Sequence, residues 1–330
     1  MATSRPVSIA FFLLAIALLP GCKKSDSAAE NVSDPNKRPQ IVATTGMVGD
    51  LVRGIVGEAA DVTVLMGPGV DPHLHQPSRS DAVALSQADI VIYNGLHLEG
   101  QLGEVLESRT SRGGQTIAVG EMLPKNQLLD ADGSWHDPHI WMDVKLWADT
   151  ITPLTEKLSK ALPDHAETFQ ASAEAYREEL LELDRWAATC LESIPKKQRV
   201  LITAHDAFRY FGRRYDVEVF GVQGVSTTSE AGITDVNRLV NLIVERDVKA
   251  VFFESSVSPR QVKAIVHGAN SRDKEVSSDH VLYSDSMGPA DSDADTYIGM
   301  IRHNTRTITE ALGGTVVDIP TSTAPVPNAS

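Results

Sequence analysis

One stretch near the middle of this 330-residue chain constrains everything on either side of it. Between Pro163 and Ile194 the apolar residues Phe169, Ala173, Tyr176, Leu180, Leu183, Ala187, Cys190 and Ile194 step by alternating four and three. That spacing draws one continuous stripe along a helix. Pro163 suits its start and Pro195 its stop. About thirty residues at ~1.5 Å each make a rod of roughly 45 Å. The same spacing would suit a coiled-coil dimer. Patterns of alternating strand and helix flank it on both sides, however, which favours a linking helix over 163–195 packed along two lobes of a monomer.

On the N-terminal side the strand-like runs are Ile41–Thr45, Asp61–Met66, Asp89–Tyr93, Gln115–Val119 and His139–Met142, with helical patterns at Met47–Val56, Ser78–Gln87 and Leu102–Ser108. On the C-terminal side Val200–Thr203, Val217–Val222, Ala250–Glu254 and His280–Tyr283 read as strands. Helices are expected there from near Asp206, at Asp235–Arg246, Pro259–Gly268 and about Asp295–Leu312. Such alternation argues for βαβ units. The expected fold class is therefore α/β, with two βα lobes (40–162 and 196–318) of mostly parallel sheets joined by the single long helix. Functional residues of such sheets lie just beyond the carboxyl ends of strands.

The N-terminus reads as an export signal. Arg5 supplies a positive flank, and the apolar run Ile9–Leu19 is too short to span a bilayer permanently. It ends in Leu19-Pro-Gly-Cys22, which resembles the bacterial lipobox, although Pro20 is unusual there. Residues 1–22 are thus expected to be a lipoprotein signal, with Cys22 the acylated anchor in a membrane outside the cytoplasm. Residues 23–39 are polar and nearly devoid of large apolar side chains, the composition of a tether. The Pro/Ser/Thr-rich end, 319–330, reads as a tail.

Removing residues 1–21 takes the formal charge from −14 to about −15, and no basic cluster offsets it, so nucleic acid is excluded as a partner. With Cys22 acylated, Cys190 is the only thiol left and no intrachain disulfide can form. No GxxxxGK[ST], HExxH or GxSxG motif is present, which removes nucleotide hydrolysis, zincin proteolysis and hydrolase-elbow chemistry.

Four turn-like segments carry chemistry: Asp71-Pro-His-Leu-His75, His136-Asp-Pro-His-Ile-Trp-Met-Asp143, Thr203-Ala-His-Asp206 and Tyr283-Ser-Asp-Ser-Met-Gly288. Three imidazoles (His73, His139, His205) and one carboxylate (Asp285) can complete the shell of a borderline divalent metal. Two come from each half of the chain, so a shared ion would lie in a cleft between the lobes. Taken singly, His73 could equally be a polar loop residue. His75 could pair with His73 as in hydrolase metal sites, support a ligand from behind, or sit at the rim. Glu254, at the end of a strand, could orient a ligand histidine or cap the following turn. His136 is expected in the loop, and His97, His165, His267, His280 and His303 at the surface or at caps. Met142 and Met287 read as packing residues.

Together these segments, with Met66-Gly-Pro-Gly-Val70, Tyr93-Asn-Gly-Leu-His-Leu-Glu99 and Phe253-Glu-Ser-Ser256, resemble one family in unbroken order from about Ile41 to Leu312. It is the cluster A-I metal-binding lipoproteins of ABC importers, of TroA/ZnuA type. The resemblance implies two α/β lobes on one backbone helix, a metal held by His73, His139, His205 and Asp285, and delivery of one Mn²⁺ or Zn²⁺, with Fe²⁺ as a further candidate, as cargo to an ABC-type permease and its ATPase. Relatives commonly carry Tyr at the place of His75, so His75 is not assigned as a ligand. Zinc-specialised members carry a His/Asp-rich loop before the second ligand. Here Gly120–Ser134 has no histidine, only Asp130 and Asp132 near its end, which brings the chain closer to the manganese/zinc subgroup. The competing reading is a lipid-anchored metallohydrolase built on His73-x-His75.

Overall fold

The structure is a computed structural model, and it describes residues 38–131 and 135–318. The expected signal, Cys22, the tether as far as residue 37 and the tail from residue 319 lie outside the described residues.

The N-terminal lobe is built on a four-stranded parallel sheet of β1 (Gln40–Thr45), β2 (Asp61–Met66), β3 (Ile90–Tyr93) and β4 (Gln115–Ala118), in the order β2-β1-β3-β4. Val42 of β1 lies opposite Thr63 of β2 and Val91 of β3. The central strand β1 is buried from Ile41 to Thr45, which suits its unbroken run of β-branched and small residues between covered faces. Thr45 caps α1 (Gly46–Val56), its hydroxyl accepting the Val48 N–H. The next helix, α2 (Arg79–Gln87), opens on a capping box: Ser78 accepts the Asp81 N–H while Asp81 accepts the Ser78 N–H. After α3 (Gly100–Ser111) and β4 come two helices without a sequence counterpart above, α4 (Val144–Asp149) and α5 (Ile151–Ala161).

The linking rod is α6 (Ala166–Glu192), entered through a 3-10 turn at Pro163–His165. Its stripe is buried as the spacing predicts, at Phe169, Ala173, Leu180, Leu183, Ala187 and Cys190. A buried leucine of this kind contributes about 1.5–3 kcal/mol. The helix packs against α1, α4 and α5 on one side. On the other it meets α7 (Arg209–Tyr215) and α10 (Tyr297–Ala311) of the C-terminal lobe. One apolar core therefore runs through both lobes, from Leu51 and Leu154 past Leu183 to Phe211 and Ile308. Asp184 interrupts the stripe yet is buried; it accepts hydrogen bonds from the Arg214 guanidinium and the Tyr215 hydroxyl, which offset its desolvation.

The C-terminal lobe pairs β5 (Val200–Thr203) with β6 (Glu218–Gly221) and β7 (Ala250–Glu254) with β8 (Ser277–Leu282), both in parallel, and β5 runs beside β7. Helices α8 (Ile233–Arg246) and α9 (Arg260–Asn270) cover a separate apolar cluster that includes Ile202, Ile243, Val251 and Ile265. Two local expectations fail. The run His139–Met142 is not a strand but leads into a 3-10 turn at Ile140–Met142. Its β-rich composition is overridden by tertiary partners: the Trp141 indole donates to the Ser284 carbonyl and the Tyr297 hydroxyl donates to the Trp141 carbonyl. Likewise the helix expected near Asp206 starts only at Arg209; the Asp206 N–H bonds to the Gly224 carbonyl, and the chain stays irregular through Phe208. Among the described residues no helix is long and apolar enough to cross a membrane.

Candidate metal centre

His73 and His139 reach the cleft on the same turn, built twice. In Asp71-Pro72-His73 the Asp71 Oδ1 accepts the His73 N–H at 2.9 Å; in Asp137-Pro138-His139 the Asp137 Oδ1 accepts the His139 N–H at 3.0 Å. An Asp that bonds the backbone two residues on, with Pro between, fixes the direction in which the histidine leaves the chain. The first turn needs Gly100 beside it, since a Cβ there would lie 2.6 Å from the His73 carbonyl oxygen.

The rings are held differently. Asp137 Oδ1 also accepts the His139 Nδ1–H at 2.7 Å. Asp137 is in turn fixed by Arg209, 3.5 Å from its Oδ2, and its carbonyl accepts the Tyr210 hydroxyl. His205 leaves the end of β5 and meets Glu254 at the end of β7. Glu254 Oε1 accepts the His205 N–H at 2.8 Å, and Oε2 accepts both its Nδ1–H at 2.6 Å and the Ser284 hydroxyl. Both carboxylates thereby place the proton on Nδ1 and leave the Nε2 lone pair facing the cleft. Asp71 does not grip its ring in this way; its Oδ2 accepts the Thr227 hydroxyl from across the cleft at 2.6 Å.

His73, His139, His205 and Asp285 are buried, with donor atoms all within 4.8 Å of one another. The His139 Nε2 is 3.3 Å from the Nε2 of both His73 and His205. A tetrahedral ion with bonds near 2.0–2.1 Å has ligand atoms roughly 3.3 Å apart, so these separations already suit one ion. Asp285 Oδ1 lies 3.4 Å from His139 Nε2 while Oδ2 lies 3.2 Å from His205 Nε2 and 3.7 Å from His73 Nε2. Neither oxygen has a well-formed hydrogen bond, and only the imidazoles face them, so this buried carboxylate calls for a positive charge at the centre, either a bound cation or protonated histidines in its absence. With both oxygens facing the centre, four residues can offer four or five donor atoms.

Proton affinities diverge among the clustered residues. Burial pushes the His73 imidazole down to about 3. Burial opposes charge on His139 as well, but Asp137 and Asp285 outweigh it and lift the group to about 9. His205 is raised well above the ordinary value because Asp285 and Glu254 overcome its burial, and the two histidines hold Asp285 well below the usual carboxylate range despite its own.

His75 is not part of the cluster: its Nε2 lies 3.0 Å from Asp81, the residue of the α2 capping box. His136 stays in its loop, 3.4 Å from Asp130. His97 sits on Trp135, ring centroids 3.7 Å apart. Asp137 was missed in the sequence, although the doubled Asp-Pro-His tripeptide was there to signal it. A cavity of about 570 Å³ opens beside the cluster. Tyr93, His97 and Trp135 line it from one lobe and Val225, Ser226 and Thr228 from the other, and of the four clustered residues His73 alone borders it.

Fold and cluster together define a two-lobed α/β binding protein with a buried centre of three histidines and one aspartate suited to a single metal ion. Residues 41–311 match the family model of ZnuA, the zinc-uptake complex component A, periplasmic. The manganese-binding lipoprotein MntA of Bacillus subtilis (strain 168) is 44% identical over 305 residues, 92% of this chain and 98% of that one. The zinc-binding protein TroA of Treponema pallidum (strain Nichols) is 40% identical over 301 residues, 91% of this chain and 96% of its own. The solved structure of periplasmic TroA from Treponema pallidum superposes with a TM-score of 0.80 at 42% identity, covering 84% of this chain and 99% of that one. The chain belongs to the ZnuA/TroA family of metal-binding periplasmic proteins.

Proposed function

We propose that this protein captures one Mn²⁺ or Zn²⁺ outside the cytoplasm and delivers it to an ABC-type permease with its ATPase. In this reading His73, His139, His205 and Asp285 are the ligands, Asp137 and Glu254 hold two of them from behind, and Cys22 carries the lipid anchor. The lobes span 40–162 and 196–318, and 163–195 links them. The observation that carries the reading is the convergence of four buried ligand groups, two from each side of α6: three imidazoles and one carboxylate whose oxygens lack a well-formed hydrogen bond. Capture suits such a closed shell, whereas hydrolysis needs a position open to water and a base beside it. The His73-x-His75 pair on which a hydrolase would rest is divided, with His75 engaged by Asp81. Relatives named for manganese and for zinc both support the choice of metals, and a mixed nitrogen and oxygen set suits either. Competition titration of metal-free protein with Mn²⁺ and Zn²⁺ tests the assignment. One equivalent per chain is expected; two per chain, or none, would overturn it.

A further inference from the structure

The two Asp-Pro-His turns differ in one respect that bears on how an ion leaves. Asp137 spends its Oδ1 on both the backbone and the ring of His139. Asp71 spends Oδ1 on the His73 backbone and Oδ2 on Thr227, a residue of the opposite lobe. The turn that presents His73 is thus fastened across the cleft. A second cross-cleft bond supports the same loop, from the Gly69 N–H to the Ser286 hydroxyl at 3.1 Å. Thr227 is buried, and its neighbours Val225, Ser226 and Thr228 form one wall of the 570 Å³ cavity that His73 alone of the four borders.

We infer that the Asp71–Thr227 hydrogen bond is the latch of the metal centre, and that His73 is the ligand through whose side the ion passes to and from the cavity. The inference rests on the metal-capture reading above. With the latch made, the lobes hold Asp71, Asp71 holds the turn, and His73 faces the ion. With the latch broken, the loop keeps its own Asx bond and the Gly69–Ser286 bond, but nothing ties Asp71 itself to the opposite lobe, while His139 and His205 stay clamped by Asp137 and Glu254. The ion then loses one ligand on the side where Glu104, Glu107 and Glu121 line the cavity. Negative charge there attracts a departing or arriving cation. Thr227 is a positioning residue, since its hydroxyl reaches Asp71 rather than the ion.

The test is the dissociation rate of bound Zn²⁺ under an excess of chelator, for wild type, Thr227→Val and Thr227→Ser, beside the melting temperature of each metal-free protein. A hydrogen bond to a charged group, removed without leaving a void, predicts release roughly ten-fold faster in T227V. T227S keeps the hydroxyl and should match the wild type both in release rate and in metal-free melting. Thr227→Ala takes the place of T227V if the latter does not fold. Unchanged release in the hydroxyl-less variants overturns the latch while leaving metal capture intact. Equal acceleration in T227S overturns it too, because packing would then be the cause. A wild type that binds no Zn²⁺ and no Mn²⁺ overturns both readings.

Discussion

Replacing Glu254 by Gln should damage metal binding more than replacing Asp137 by Asn, though each change removes one charge from behind one ligand. The difference follows from which oxygen does what. Glu254 uses Oε1 for the His205 N–H and Oε2 for its Nδ1–H. A glutamine has only one oxygen. If that oxygen keeps the backbone N–H, the amide NH₂ faces Nδ1 and forces the proton to Nε2, where it occupies the lone pair the ion needs. If the amide flips, two donors confront each other at the backbone, a buried unsatisfied pair worth about 1–3 kcal/mol. Asp137, by contrast, takes both the backbone and the ring of His139 on Oδ1 alone. An asparagine can keep both bonds with its single oxygen, losing charge and the approach of Arg209 to Oδ2 but not the tautomer. Loss of a group that orients a metal ligand costs about 10–100-fold in affinity. E254Q belongs near the upper limit, about 2.7 kcal/mol, and D137N near the lower, about 1.4 kcal/mol. Competition against a fluorescent chelator at pH 7.5 measures both. D137N as harmful as E254Q, or E254Q indistinguishable from wild type, would refute the tautomer argument.

Asp285→Ala should weaken binding beyond the ~10–100-fold of residues that only support a ligand, whereas His75→Ala, at a residue paired with Asp81, should leave isothermal titration curves unchanged. Affinity should rise with pH across neutrality, because His139, lifted to about 9, and His205, also raised by its carboxylate neighbours, must release protons to bind. Reference imidazoles near 6.5 would place that dependence about pH 6; a flat titration from roughly pH 6 to 8 would contradict the upward shift. In the metal-free protein, the stabilisation from His139 should be full below its unfolded value near 6.5 and lost as pH rises through about 9, which thermal melts across that range can follow. Free metal at about 100 times Kd should add ~2.7 kcal/mol and raise Tm by about 5–10 °C, and chelation should reverse it in calorimetry.

Much of this molecule was legible in its sequence where a local rule and the tertiary environment agree. The strands Val200–Thr203 and Ala250–Glu254 appear at the boundaries expected, since buried parallel strands are short apolar runs ended by polar turns, and the half-buried edge strand Asp61–Met66 does so as well. The long helix follows its stripe, and His73, His205 and Asp285 follow short apolar runs, whereas His139 opens one. What escaped depended on partners distant in sequence. His139-Ile-Trp-Met142 has strand composition, yet Ser284 and Tyr297 bind it as a turn. Asp184 breaks the stripe of α6, and only the presence of Arg214 explains why it is buried. Asp137 is signalled only by the repetition of Asp-Pro-His at 71–73 and 137–139, a pattern no single histidine carries. Glu254 stood between two roles, which its distance to His205 resolves geometrically.

Cys190 sits fully buried on α6, unpaired, in the core that the two lobes share. In a chain lacking residues 1–37 it is the single thiol. No covalent bridge among the described residues then helps to keep the rod and its neighbours together. Alkylation of that sulfur consequently becomes a clock for a particular event, the opening of the seam along α6, and stays blind to loosening of loops around the cleft. A reagent that labels Cys190 no faster with cargo absent than present would place the give in this molecule at its rim and leave its spine still.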